Sequence, residues 1–278
     1  MNCFLHMNKI QAIITDLDGT ILPRGGEISP ETLASFRQAG HKGYTRIIAT
    51  GRNLYSARCI LQPDFPIDYL VFASGAGILR WNDQQLLFTK HLEQQETRDI
   101  ATYLWEYNIN FTIQKAIPDN HYFYYTDIYP LHPDYIRRLE TYKPFGTPIS
   151  SPGDIHNQAT QLIMILDAKQ IRLLEQIRKD LSAYSIVRST SPIDNQAIWL
   201  EIFPAGINKG TTCRQLLHDL NIDSKACAGL GNDYNDVDFL DICSQSYLVA
   251  NAPSRLKPHY KSVASDRNNG FSEFIGKI

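Results

Sequence analysis

The run Ile13-Ile14-Thr15 passes without a break into Asp16-Leu17-Asp18-Gly19-Thr20, so two carboxylates stand just past an apolar segment with the character of a buried strand. Side chains two apart on extended backbone point to the same side. Asp16 and Asp18 can therefore face one pocket while Leu17 turns back into a core, and Gly19 lets the chain turn away at once. An isolated Asp-x-Asp-Gly also serves as an acidic turn capping a strand, so its meaning depends on what the rest of the chain brings to it.

The rest of the chain has a βαβ rhythm. Ile10–Thr15 reads as the first strand, followed by a helix that opens at Ser29-Pro30, where Ser is a good N-cap and Pro suits the first helical position, and stops at Gly40. Tyr44–Ala49 is the second strand. Thr50-Gly51-Arg52 follows it directly, then a helix over Leu54–Leu61, the strand Tyr69–Phe72 and the small-residue turn Ser74-Gly75-Ala76-Gly77. Ile78–Trp81 and Gln84–Phe88 flank Asn82-Asp83, two residues that tolerate the left-handed conformation of a tight hairpin turn.

From about residue 89 to residue 190 the character changes. A helix over Glu93–Tyr107 precedes strands near Asn110–Ile113 and His121–Thr126, a looser stretch rich in Pro and Gly, the strand Gln161–Leu166, the helix Lys169–Leu181 and the strand Ser185–Ser189. After Ser191-Pro192 the βα rhythm resumes with Trp199–Phe203, a helix from Lys209, the strand Ala226–Leu230, a helix over Val237–Ile242 and Tyr247–Ala250. This pattern predicts an α/β protein: an open, Rossmann-like parallel-sheet core of residues 1–88 and 191–278, interrupted by an inserted α+β domain of residues 89–190. The linkers near 88–92 and 189–194 would act as hinges.

Composition narrows the partners. A chain of 278 residues, 43% hydrophobic, can bury a core large enough for two domains. Its net charge of −2, pI near 6.4 and lack of a Lys/Arg run argue against nucleic acid or a membrane surface as partner, leaving small molecules. Cys3, Cys59, Cys213, Cys227 and Cys243 are odd in number and show no C-x-x-C spacing, which reads as reduced thiols in a cytoplasmic setting. Met1 to Met7 is too short for a signal peptide, Met7 is itself a candidate start, and no apolar run has the length of a membrane span.

Ligands of an open parallel sheet bind beyond the carboxyl ends of its strands, so polar residues placed directly after strands converge on one crevice. Asp16 and Asp18 follow the first strand. Thr50 and Gly51 follow the second, offering a hydroxyl and N–H groups at a helix start, although Thr there is equally an N-cap. Lys209 opens a helix, where the dipole disfavours a cation unless an anion compensates; the plainer alternative is a solvated lysine. Gly229-Leu230-Gly231-Asn232-Asp233-Tyr234-Asn235-Asp236 sets carboxylates and amides between a strand and a helix, either as ligands or as a solvated cap.

Jointly these residues resemble the haloacid dehalogenase superfamily of phosphotransferases, and within it the Cof-like branch with a large α/β (type IIB) cap. Asp16-Leu17-Asp18-Gly19-Thr20 matches the first motif of that family, Ala49-Thr50-Gly51-Arg52 the second, Lys209 the third and Gly231 to Asp236 the fourth, in order and across nearly the whole chain. Asn251-Ala252-Pro253 and Asn268-Asn269-Gly270 are similar to its tail. Two departures stand out. The fourth motif is commonly Gly-Asp-x-x-Asn-Asp, whereas Gly231 is followed here by Asn232 and then Asp233; and the usual Asn-Gly-Ala after the third strand appears as Ser74-Gly75-Ala76.

The resemblance implies a Mg²⁺-dependent phosphatase acting on a small-molecule phosphate ester, most plainly a sugar phosphate. Asp16 would attack phosphorus, and Mg²⁺ would offset the repulsion between carboxylate and phosphate. Asp16, the Asp18 carbonyl, Asp236, and Asn232 or Asp233 would supply oxygen ligands. Asp18 would act as general acid and then general base. Thr50, Gly51 and Lys209 would hold the transferring oxygens, with Asn235 orienting Lys209 or the phosphate. A phosphomutase of the same superfamily, similar to phosphomannomutase, is one alternative. A non-catalytic phosphoacceptor module is another, although it would not need a cap of this size. The chain would be a monomer or homodimer.

Residues 101–145 hold twelve of the chain's thirty aromatics, which either stack on a sugar or build the cap sheet and a dimer contact. The histidines show no zinc-ligand spacing, and Gly206-Ile207-Asn208-Lys209-Gly210-Thr211 has the wrong spacing for a P-loop.

Overall fold

The strand that carries the first carboxylates, β1 (Ala12–Thr15), is buried at every position and lies between parallel neighbours, which is why it reads as an unbroken apolar run. The computed structural model describes residues 9–191 and 197–278. The segment Met1–Met7 with Cys3, and Pro192 with the following part of the linker expected at 189–194, lie outside the described residues.

The chain continues through α1 (Pro30–His41), where the Ser29 hydroxyl accepts from the Thr32 N–H, then β2 (Thr45–Ala49), α2 (Leu54–Arg58) and β3 (Tyr69–Phe72). A hairpin follows, β4 (Gly77–Arg80) and β5 (Gln85–Thr89). Its left-handed residue is Gln84, at φ +57°, and neither Asn82 nor Asp83 takes that conformation. Asp83 is instead held by the Arg80 guanidinium at 2.6 Å, and the turn reverses at its last residue.

A smaller sheet begins after α3 (Gln94–Glu106), which opens on a capping box between Glu93 and Glu96. Its elements are β6 (Phe111–Lys115), β7 (Phe123–Tyr125), α4 (Pro133–Thr141), β8 (Gly146–Pro148), β9 (Ala159–Leu166), α5 (Ile171–Asp180), β10 (Ser185–Thr190) and β11 (Ile198–Phe203). The helix α4 lies inside the stretch read from sequence as loose. Pro133 there opens a helix instead of breaking one, because the first helical position needs no N–H bond.

The strand β11 corrects the expected return to the core after residue 191. It pairs antiparallel with β10 and β9 in the smaller sheet, with Ser185 opposite Phe203 and Thr190 opposite Ile198. A hairpin partner close in sequence satisfies its ladder at little cost in loop closure, so the chain leaves this sheet only after Phe203. The larger sheet is completed by α6 (Lys209–Asp219), β12 (Cys227–Gly231), α7 (Val237–Leu240), β13 (Gln245–Val249), β14 (Lys261–Val263) and α8 (Gly270–Lys277).

Among the described residues the larger sheet has the order β14-β13-β12-β1-β2-β3-β4-β5, parallel as far as β3 and antiparallel at its hairpin edge. Helices α1 and α8 cover one face, where the Phe36 and Phe271 rings stack 4.2 Å apart, and α6 and α7 cover the other. The smaller sheet runs β10-β11-β9-β6-β7-β8. Leu162, Met164, Leu200 and Ile202 turn to the core under α3 and α5. The alternate residues of the same strands, Gln161, Ile163, Trp199 and Glu201, face a cavity shared with the larger sheet. No described helix is long and apolar enough to cross a membrane, and Cys59, Cys213, Cys227 and Cys243 are unpaired.

Candidate active site

Three elements deliver charge to one end of the larger sheet. Asp16 follows β1, Lys209 is the first residue of α6, and Asp236 ends the loop after β12. Lys209 Nζ lies 2.6 Å from Asp16 Oδ1 and 2.7 Å from Asp236 Oδ1, and its side chain is 1% exposed. Burial alone would push this lysine down; the two carboxylates outweigh it and hold it above its ordinary value. The unfavourable placement of a cation at a helix start is thus compensated from within the protein. The Thr20 hydroxyl donates to Asp16 Oδ2 at 3.2 Å, and Asp236 Oδ2 accepts the N–H groups of Asn232 (2.8 Å) and Asp233 (3.0 Å).

Asp18 sits beside the same cavity, with Leu17 buried in the core behind it. Arg52 donates through Nε to Asp18 Oδ2 at 2.8 Å and through Nη2 to Oδ1 at 2.7 Å, a bidentate fork. Burial would lower Arg52, but Asp18 raises it. Thr50 is buried; its hydroxyl accepts from the Arg52 N–H at 3.1 Å and so shapes the turn that aims Arg52, while Gly51 lines the cavity. Asn235 also lines the cavity, but the partners that hold Lys209 are the two carboxylates.

The two candidates after Gly231 separate in space. A Cβ on Gly19, which has φ +75°, would lie 2.5 Å from Asn232 Nδ2, so the Asn232 amide rests against the Asp16–Gly19 loop. Asp233 turns toward the smaller sheet: Thr190 donates to it through its N–H and through its hydroxyl, both at 2.8 Å. Burial raises the Asp233 carboxyl, and the bonds from Thr190 oppose that. Gly75, at φ +109°, allows the Ser74 turn to pack on α6; a Cβ there would meet the Asn208 carbonyl at 2.4 Å.

The donor set fits Mg²⁺. Burial first, and then Asp236, push the Asp16 carboxyl up to about 7 against the pull of Lys209. Among the described residues no three His, Cys, Asp or Glu side chains form a closed cage. Asp16 and Asp236, with the neighbouring amide and carbonyl oxygens, are hard oxygen donors of the kind Mg²⁺ takes beside its retained waters.

The opposite wall comes from the smaller sheet, across a cavity of about 1130 Å³. Glu201 accepts from Gln161 Nε2 at 2.8 Å and from the Ser74 hydroxyl at 3.3 Å, and burial, partly offset by Arg138, pushes its carboxyl up to about 7. The Tyr55 ring of α2 stacks on His121 with centroids 4.8 Å apart, a further contact between the two sheets' domains. Thr20, Arg52 and Glu201 were not singled out from sequence. Arg52 could have been, since it closes the second motif directly after a strand, and Glu201 is a lone acid inside an otherwise apolar run.

A sequence profile described as haloacid dehalogenase-like hydrolase matches residues 13–275. The chain is similar to a 5-amino-6-(5-phospho-D-ribitylamino)uracil phosphatase of Bacillus subtilis, 23% identical over 97% of this chain and 98% of that one. An HMP-PP phosphatase of Citrobacter koseri is 24% identical over 94% and 92% of the two chains. Among solved structures, a Streptococcus mutans protein superposes with a TM-score of 0.80 at 19% identity, covering 97% of this chain and 98% of that one. A sugar phosphatase of haloacid dehalogenase subclass IIB superposes with a TM-score of 0.77 at 16% identity, covering 96% and 98%.

Proposed function

The chain belongs to the haloacid dehalogenase-like hydrolases, and from that membership we propose that it is a Mg²⁺-dependent phosphatase of small phosphorylated metabolites, sugar phosphates among them, that works through an acyl phosphate on Asp16. The observation that carries this reading is the buried Asp16–Lys209–Asp236 cluster, with Asp18 two residues on and facing the same cavity. Relatives of nearly equal likeness are named for different substrates, so the reading stops at the class.

An oxygen of Asp16 forms the new bond to phosphorus as the bond to the leaving oxygen breaks. Asp18 gives that oxygen its proton, then takes one from the water that attacks phosphorus and releases phosphate from Asp16. Arg52 occupies both oxygens of Asp18 here, so the fork turns aside when substrate enters. Lys209 stays with Asp16 and Asp236 and faces the transferring oxygens, with Thr50 and Gly51 shaping the loop on the other side. Mg²⁺, when bound by Asp16, Asp236, the Asp18 carbonyl and the Asn232 amide, supplies the charge that lets a carboxylate approach a phosphate dianion. Asn232 is favoured over Asp233 because its amide rests against the Asp16–Gly19 loop, whereas Asp233 turns away to Thr190.

The test is phosphate release from a panel of esters with Mg²⁺, for the wild type and for Asp16→Asn. The variant should stay folded by circular dichroism and lose on the order of 10³-fold or more in kcat. Near-wild-type release by the variant would remove Asp16 from its role, and return of label to a second sugar hydroxyl would replace hydrolysis by phosphoryl transfer.

A further inference from the structure

The cavity wall contributed by the smaller sheet carries polar groups that have no partner among the described residues. Asn120 is 1% exposed, and both its amide oxygen and its amide nitrogen lack a partner. Gln161 Oε1, His121 Nδ1 and Arg138 Nε are likewise out of solvent and unpartnered. Buried amides are nearly always bonded, so four such residues on one cavity wall mark a place completed by something else.

Arg138 gives that place its sign. Its guanidinium lies against the rings of Tyr142 (5.3 Å), Trp199 (5.4 Å) and Phe123 (6.0 Å), and the residue also lines the cavity. With the Gln114 amide oxygen turned toward it, Arg138 Nη2 donates there at 3.3 Å. No carboxylate of the described residues comes within the 4.0 Å of an ion pair with Arg138. Glu201 accepts its hydrogen bonds from Gln161 and Ser74, not from Arg138. A guanidinium lining a cavity beside amides is suited to an anion, to which it offers its remaining N–H groups.

We propose that Arg138, with Asn120 and Gln161 beside it, binds a second anionic group on the leaving-group side of the substrate, a carboxylate or a second phosphate. This deepens the phosphatase reading and rests on it: the reacting phosphate lies at Asp16 and the second anion at Arg138, across the same cavity. Neutral sugar phosphates fit the volume but leave Arg138 unmatched.

The test compares glucose 6-phosphate with 6-phosphogluconate, which adds a carboxylate, and with fructose 1,6-bisphosphate, which adds a phosphate; p-nitrophenyl phosphate supplies the baseline. Wild-type kcat/KM should favour at least one charged ester by about 10-fold or more, and the two arms say which anion is read. Arg138→Gln should erase that preference, losing roughly 30-fold on the charged ester and under about 3-fold on p-nitrophenyl phosphate, while Arg138→Lys recovers part of it. Equal loss on every ester, or a wild type indifferent to the added charge, would overturn the assignment; the wild-type comparison and Arg138→Lys decide it if Arg138→Gln does not fold. The same ligands bound to Asp16→Asn, read as thermal shifts, repeat the comparison without turnover. Failure to hydrolyse any ester therefore counts against the phosphatase reading, and absence of a charge-dependent shift counts against this one.

Discussion

The two walls of the cavity are built on opposite principles. On the larger sheet's wall the charged side chains at the reacting end are held by the protein: Lys209 by two carboxylates, Asp236 by Lys209 and two N–H groups. On the smaller sheet's wall Asn120, Gln161, His121 and Arg138 keep open valences. Fixed charges suit a step whose electrostatic demand is the same for every substrate, because they need no reorganisation when it occurs. Open valences suit recognition, since the ligand that fills them gains bonds that a wrong ligand leaves broken.

The contrast can be broken first at Lys209. Lys209→Met leaves Asp16 and Asp236 facing each other with side chains at most 6% exposed, and should cost about 3–5 kcal/mol, read as a lower urea midpoint. An unchanged midpoint would mean that the carboxylates share a proton and that the wall is not held by charge pairing.

Glu201 sharpens it from the other side. Its folded value of about 7 lies above the ordinary 4.5, so between those values the native state keeps a proton that the unfolded chain has released. Wild-type stability from this residue should therefore fall as pH rises from 4.5 to 7 and level off above. Glu201→Gln removes that dependence: thermal melts should match wild type below pH 4.5 and exceed it at pH 8, by up to about 3 kcal/mol. A gap that stays constant with pH would show that Glu201 ionises normally.

The smallest effect concerns the loop after β12. Asn232→Asp adds a charge next to the Asp16–Gly19 loop and should lower the Mg²⁺ concentration for half-maximal phosphate release by a few fold. No shift, together with a large loss on Asp233→Asn, would move the metal contact to Asp233 despite its bonds to Thr190.

Much of the larger sheet's wall was legible in the chain because its elements are local. Period two puts Asp16 and Asp18 on one side of a strand end, and capping chemistry marks the start of α1 at Ser29. Most element ends slipped by a residue or two, which fraying explains, and α2 stops at Arg58, three residues short of the expected Leu61. The larger miss was β11, since a fully buried strand shows no alternation that says which sheet it joins. The short β14 and the helix α8 were also not read.

By itself the sequence determined the order of strands and helices in the larger sheet as far as β13, the carboxylate pair after β1 and the family to which the four motifs belong, because each of these is a pattern over a few neighbouring residues. Only the tertiary structure decided which charges meet. Lys209 stands 193 positions from Asp16 and 27 from Asp236, and no local pattern predicts that one ammonium satisfies both. The same holds for Arg138 and Asn120. Their open valences are a property of burial and of absent neighbours, and neither exists until the two sheets close around a common cavity.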